Sequence, residues 1–176
     1  MEGKKPNYGL SYGVILGLVS IIYTVILYLG GVKLFLSPLA WVAWCIPIVI
    51  AVLGGLKQKK ALGGYMSFGE ALKTVFLVFV IGTLISTAFN YVLLNYIDVP
   101  FREALAQESA VVMEKMMRKF GASETTIEKS VADTLNGNSY SIGKVLLGYV
   151  FFLIGWFIVS LIIAAIIKKN KPEFQN

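Results

Sequence analysis

The 176-residue sequence contains no histidine and a single cysteine, and only 15% of its residues are charged. Without histidine it lacks the side chain that most often serves as acid, base or metal ligand near neutral pH. Cys45 alone makes neither an internal disulfide nor a metal site. Inside an apolar run it reads as a small buried apolar residue. The net charge is +6, yet no RNA- or DNA-binding pattern accompanies it, and no residue set calls for a cofactor. The basic residues sit beside apolar runs, so they read as topology signals and membrane-surface contacts, not as a nucleic-acid face.

What is present is apolar. Hydrophobic residues make up 57% of the chain and the mean hydropathy is +0.74, whereas an ordinary soluble domain is about 45–50% apolar. Runs of about 20 apolar residues point to a membrane protein, with the lipid bilayer as its first partner. The fold class that follows is all-α: a bundle of four transmembrane helices forming a single integral membrane domain over residues 1–176.

The spans read as about 8–29, 38–56, 68–97 and 142–167. The first follows Lys4 and Lys5, as a signal peptide would. Its apolar core is too long for one and no A-x-A site follows, so it reads as a signal anchor. Pro38 suits the first turn of the second span, and Pro47 should kink its middle. The third is about 45 Å long, more than the hydrocarbon core, so its ends reach the interfaces or it tilts.

Nine lysines share one face: Lys4, Lys5, Lys57, Lys59, Lys60, Lys73, Lys168, Lys169 and Lys171. The positive-inside rule makes that face cytoplasmic and puts both termini inside. Tyr28, Trp41, Trp44, Tyr91, Tyr96 and Tyr140 gather towards the opposite interface. Residues 98–138 then form a helical hairpin on the outer side, the periplasmic side if the membrane is a bacterial inner one. Asp98 caps its first helix, with Pro100 in the first turn. Phe101, Leu105, Val112, Met116 and Phe120 recur at helical spacing. Gly121 ends that helix, Ser123 starts another, and Gly137 ends the second. The apolar stripe either packs on the bundle, lies in the interface, or docks an envelope membrane protein through the adaptable Met113, Met116 and Met117.

Three further patterns stand out. Ser67 and Glu70 open the third span as a capping box, with Lys73 able to snorkel beside them. Glu70 as an ion or proton ligand is the rival reading. Gly9, Gly13, Gly17, Ser20 and Thr24 form a small-residue stripe suited to close helix packing, within the chain or between copies. Gly148 and Gly155 offer a second such site. Thr83, Thr87 and Asn90, with Ser86 beside them, put a polar face on the third span, which must turn from lipid. It bonds neighbouring helices, or it lines a polar pathway or lipid-headgroup pocket.

GVILG (13–17), GGYMSFGEA (63–71), Asp98-x-Pro100-Phe101 and SLIIAA (160–165) before Lys168-Lys169 resemble the Bacteroidetes membrane family named domain of unknown function 4199. The resemblance implies a four-helix inner-membrane protein with an insert after its third span. It brings no activity and no catalytic residues. The only acid and base candidates, Glu70, Lys73 and Asp98, lie near opposite faces and do not meet at one bond. The expectation is a non-enzymatic accessory or scaffold subunit of envelope machinery. The alternative is a small transporter or channel subunit using the polar face of the third span.

Overall fold

The computed structural model describes residues 7–39, 44–136 and 140–171. Every regular element among them is a helix. In chain order these are α1 (Tyr8–Leu29), α2 (Gly31–Phe35), α3 (Cys45–Ala61), α4 (Phe68–Val92), a π turn (Leu93–Ile97), α5 (Val99–Lys119), α6 (Glu124–Leu135) and α7 (Ile142–Ile167).

Three helices are long and apolar enough to cross a membrane: α1, α4 with its π turn, and α7. Their boundaries follow from their caps. Asn7 accepts from the Leu10 N–H at the start of α1, and Ser67 from the Glu70 N–H at the start of α4. Ser141 precedes α7 in extended backbone.

The second span expected over 38–56 is not a helix of that extent. α3 begins at Cys45, and its last turns carry Lys57, Lys59 and Lys60. Its apolar part, Cys45–Leu56, is about 18 Å long, short of the hydrocarbon core. Pro47 therefore lies in the first turn, where a missing N–H costs no intrahelical bond, and not in the middle of a span. Residues 40–43, with Trp41, lie outside the described residues, as do Lys4, Lys5 and Gly137. Cys45 is exposed, not buried as its apolar surroundings suggested.

α1, α3, α4 and α7 run alternately up and down and pack on one another. The Tyr8 N–H donates to Gln58 Oε1 at 3.0 Å, and Lys59 Nζ donates to the Ile167 carbonyl at 2.8 Å. The starts of α1 and α4 and the ends of α3 and α7 thus meet at one lysine-rich end. The core lies in that half of the assembly. Leu16, Ala51, Val75, Val78, Phe79 and Ala164 are fully buried there. All the buried residues of α7 fall between Trp156 and Ile167, and those of α4 between Ala71 and Gly82. Towards the far end α7 stands away from its neighbours, and Leu146, Leu147, Val150 and Phe151 are more than half exposed.

α5 and α6 are joined by a short turn through Gly121, whose φ of +74° is one glycine adopts without strain. They pack on each other through Leu105, Ala106, Ala110 and Ile127.

Candidate functional site

At the lysine end, the GGYMSFGEA segment ties α4 to the last residues after α7. Gly63 and Gly64 take φ of +78° and +88° to turn the chain. Met66 and Lys169 then pair as an isolated antiparallel bridge. Ser67 and Glu70 form a complete capping box. The Glu70 N–H donates to Ser67 Oγ at 3.3 Å, and Glu70 Oε2 accepts from the Ser67 N–H at 2.9 Å. Lys168 and Lys169 lie over the rings of Phe68 and Tyr65 at 5.9 and 5.3 Å.

The small-residue stripe divides. Gly9, Gly13 and Gly17 face α4. A Cβ on Gly13 would stand 2.7 Å from Ile81 Cβ, and one on Gly17 2.7 Å from Ile85 Cβ. The stripe's glycines therefore serve a contact inside the chain. Three glycines that the sequence did not single out do the same. Gly82 accommodates Leu16, Gly54 accommodates Tyr12, and Gly55 accommodates Ile167. Gly148 and Gly155 have no neighbour within 4 Å and are not packing positions.

Ser20 and Thr24, the other end of the stripe, line a cleft of about 520 Å³ between α1, α4, α7 and the start of α3. The polar face of α4 lines the same cleft with Thr83, Ser86, Thr87 and Asn90. Thr83 Oγ1 donates to the Phe79 carbonyl at 2.6 Å, and Asn90 Nδ2 to the Ser86 carbonyl at 2.9 Å, so Thr83 satisfies its donor within α4 and Asn90 one of its two. Across the cleft the Tyr149 hydroxyl donates to the Val80 carbonyl at 3.0 Å, tying α7 to α4. Among the described residues, the hydroxyls of Ser20, Thr24 and Thr87 and the ammonium of Lys144 have no polar partner. Lys144 is the one charged residue among the described residues that line the cleft. The floor is aromatic: Trp156 stacks on Phe79 with ring centres 4.4 Å apart.

The cleft continues sideways into an apolar groove of about 410 Å³. Trp44, Phe152 and Trp156 border both, and Ile48, Phe151, Gly155 and Val159 complete the groove. Trp44 lies 5.6 Å from the Phe152 ring and 5.9 Å from the Trp156 ring. Sequence reading singled out Thr83, Thr87 and Asn90 as a polar face, took Ser20 and Thr24 as helix-packing positions only, and missed the α7 wall. Its signal was available: Tyr149, Phe152 and Trp156 recur at helical spacing below Lys144, on one face of α7.

The stripe on α5 is also divided. Phe101 packs edge-on against Tyr28 at 4.8 Å and Phe35 at 5.6 Å, and Leu105 is buried. Val112, Met116 and Phe120 are 50%, 54% and 81% exposed. Asp98 anchors the buried half. One carboxylate oxygen accepts from the Tyr28 hydroxyl at 2.7 Å and the other from the Phe101 N–H at 2.9 Å. These two hydrogen bonds, the tyrosine's first, hold the carboxyl below its ordinary range.

Glu70 and Asp98 lie at opposite ends of α4 and its π turn, about 40 Å apart along the axis. No group of three or more metal-ligating side chains exists among the described residues.

The chain matches no curated protein and no solved structure. A family model does match, over residues 11–169, from the first turn of α1 to the Met66–Lys169 bridge. Its description is "Protein of unknown function (DUF4199)", and the match covers nearly the whole chain, so the protein belongs to that family.

Proposed function

We propose that the protein is a non-enzymatic, multi-pass accessory or scaffold subunit in the inner membrane of a Bacteroidetes-type cell. Its lysine end and both termini face the cytoplasm, and α5–α6 stands on the other side. The supporting observation is the divided stripe on α5. In its first half Phe101 seats the helix on the ends of α1 and α2, and Leu105 is buried. Its second half, Val112, Met116 and Phe120, is presented outward at spacings of one helical turn. That is the surface an apolar helix of another envelope membrane protein packs against. The acids that a catalytic reading needs are instead engaged in helix caps.

A photo-crosslinking residue at Met116, in the full-length protein in native membranes, should capture one protein of defined mass. Substituting Val112 and Phe120 with serine should remove that adduct and leave the thermal midpoint in detergent unchanged. Adducts to lipid alone, or to many proteins equally, overturn the scaffold reading.

The alternative, a small transporter or channel subunit, draws support from the cleft walled by Thr83, Thr87 and Asn90. Below them Phe79 stacks on Trp156, and Leu16 is fully buried in the core. Any route through the molecule needs that packed half to open. Flux in proteoliposomes that is lost on Asn90→Leu would support this reading, and no flux across a broad solute panel would remove it.

A further inference from the structure

The cleft and the groove beside it have opposite chemistry and one shared border. The cleft offers Lys144, unpartnered hydroxyls on α1 and α4, and the Asn90 amide; the groove offers aromatic and aliphatic side chains only. Trp44, Phe152 and Trp156 form the border. We propose that the two together hold one anionic phospholipid, its phosphate at Lys144 and one acyl chain along Trp44, Phe152 and Val159.

Four observations carry this. First, the cleft is lined by polar residues that bond no other described residue: the hydroxyl residues Ser20, Thr24 and Thr87, each half-buried, and the exposed Lys144. Hydroxyls in an apolar assembly gain from an acceptor, and a phosphate or ester oxygen supplies one. Second, the one charged group among the described lining residues is a lysine, which pairs with a lipid phosphate and repels a headgroup cation, and so favours an anionic headgroup. Third, the groove opens on the flank of α7, a helix apolar enough to cross a membrane, where Trp44, Phe151 and Phe152 are each more than half exposed. In a bilayer that flank meets acyl chains, not water.

The fourth is length. Lys144 and Val159 are about 22 Å apart along α7. One leaflet's hydrocarbon is about 15 Å deep. The path below a headgroup at Lys144 therefore spans the full depth of one leaflet and runs somewhat past the midplane, so a whole acyl chain can lie along it. The two volumes are also of the size that small-molecule sites occupy, roughly 300–1,000 Å³. Trp156, which lines both, stacks on the buried Phe79 of the packed half, so the cleft abuts that half on this side, which suits a resident lipid better than a passing solute.

The inference rests on the membrane reading, so the full-length protein is first tested for release from membranes by alkaline carbonate. Release to the soluble fraction sinks the membrane reading before any lipid is added. Protein that stays with the membrane is purified in mild detergent, supplied with equal phosphatidylglycerol and phosphatidylcholine, and examined by native mass spectrometry. The expected result is one phosphatidylglycerol retained per chain, in preference to phosphatidylcholine. Lys144→Gln should cut that preference by about fivefold, the effect of one cation at a membrane surface. Gly148→Leu places a side chain in the cleft at a position with no neighbour within 4 Å. It should abolish retention of either lipid without lowering the thermal midpoint. Equal retention of the two lipids, a preference unmoved by Lys144→Gln, or retention that survives Gly148→Leu each overturns the proposal. So does displacement of the bound lipid by glycerol phosphate at the concentration at which whole lipid competes, because the acyl chain then contributes nothing.

Discussion

Met66 and Lys169 hold each other by backbone alone. The Met66 N–H donates to the Lys169 carbonyl at 2.8 Å, and the Lys169 N–H donates back to the Met66 carbonyl at 2.9 Å. Met66 is 1% exposed, so water does not replace these bonds if they are lost. The pair joins the loop before α4 to the chain leaving α7, and so fixes the lysine end of the assembly.

The bond pattern separates side chain from backbone. Lys169→Ala keeps both hydrogen bonds and loses only the contact with the Tyr65 ring, so it should cost at most about 0.5–1 kcal/mol. Lys169→Pro removes one donor and leaves a buried carbonyl unpaired, which costs about 1–3 kcal/mol. Lys168 before it has φ −55° and ψ 147°, the conformation that a following proline tolerates, so the loss reports the bond and not a strained neighbour. Thermal unfolding in mild detergent, with hydrogen exchange at Met66, measures both. Equal midpoints for the two variants would show that the bridge does not hold this end.

Some of this arrangement was legible in the sequence, and the reasons are local. α4 starts where Ser67 with Glu70 caps it, whereas Ser141 precedes α7 without a side-chain cap bond. The second span was misread because Pro38 and Pro47 are both acceptable in a first turn, and an apolar run does not say which of them a helix uses. Lys57–Lys60 reads as a loop by charge, yet the lysines continue α3. Lysine is a good helix former, its charge suits a helix C-terminus, and Lys59 finds the Ile167 carbonyl. Gly54, Gly55 and Gly82 were invisible because a glycine's use depends on what faces it, and facing residues come from another helix. The same holds for the cleft. Thr83 and Asn90 declare a polar face, but only the fold sets Lys144 and Ser20 on the same space.

The glycines on α1 give a second prediction. Gly13→Ala adds a Cβ 2.7 Å from the Cβ of Ile81, an atom fixed to the α4 backbone that cannot swing aside. The helices must separate, and overpacking of this kind costs about 1–3 kcal/mol. Gly155→Ala meets nothing within 4 Å and should be neutral or stabilising by up to about 1 kcal/mol, the propensity difference between the residues. Chemical denaturation in mixed micelles compares them. A Gly13→Ala variant as stable as the wild type would remove the close α1–α4 contact from the account.

Asp98 gives a third. Its carboxyl is held below the ordinary value of 3.8 by the Tyr28 hydroxyl and then by the Phe101 N–H. A lowered pKa means that the folded form binds fewer protons than the unfolded one. The clasp is therefore fully present above the ordinary carboxylate range and is lost as pH falls through the lower folded value. Tyr28→Phe removes the larger cause, so the loss should begin at a higher pH in that variant. Asp98→Asn should remove this component of the acid response. Hydrogen exchange across the start of α5, followed from about pH 5 to pH 2, reads the transition. Identical acid profiles for wild type and Tyr28→Phe would show that the hydroxyl does not stabilise the carboxylate.

The membrane orientation gives the last. α6 lies far along the chain from the lysine end, and Lys57, Lys59, Lys60, Lys73, Lys168 and Lys169 mark that end as the side that stays in the cytoplasm. Cys45 is the only cysteine, so Cys45→Ser gives a cysteine-free background. In it, Glu128→Cys on the exposed face of α6 and Lys60→Cys at the end of α3 report the two sides. A membrane-impermeant maleimide should label position 128 in intact spheroplasts and position 60 only after the membrane is opened. The short helix α3 makes this test discriminating. If its seventeen residues do not carry the chain across, α1 and α4 enter from opposite sides, although the fold sets their first residues at the same end. Labelling of both positions in intact spheroplasts, or of position 60 alone, would therefore break the link between the lysine end and the cytoplasm. Labelling of 128 alone requires residues 30–61 to return the chain across the bilayer despite the shortness of α3.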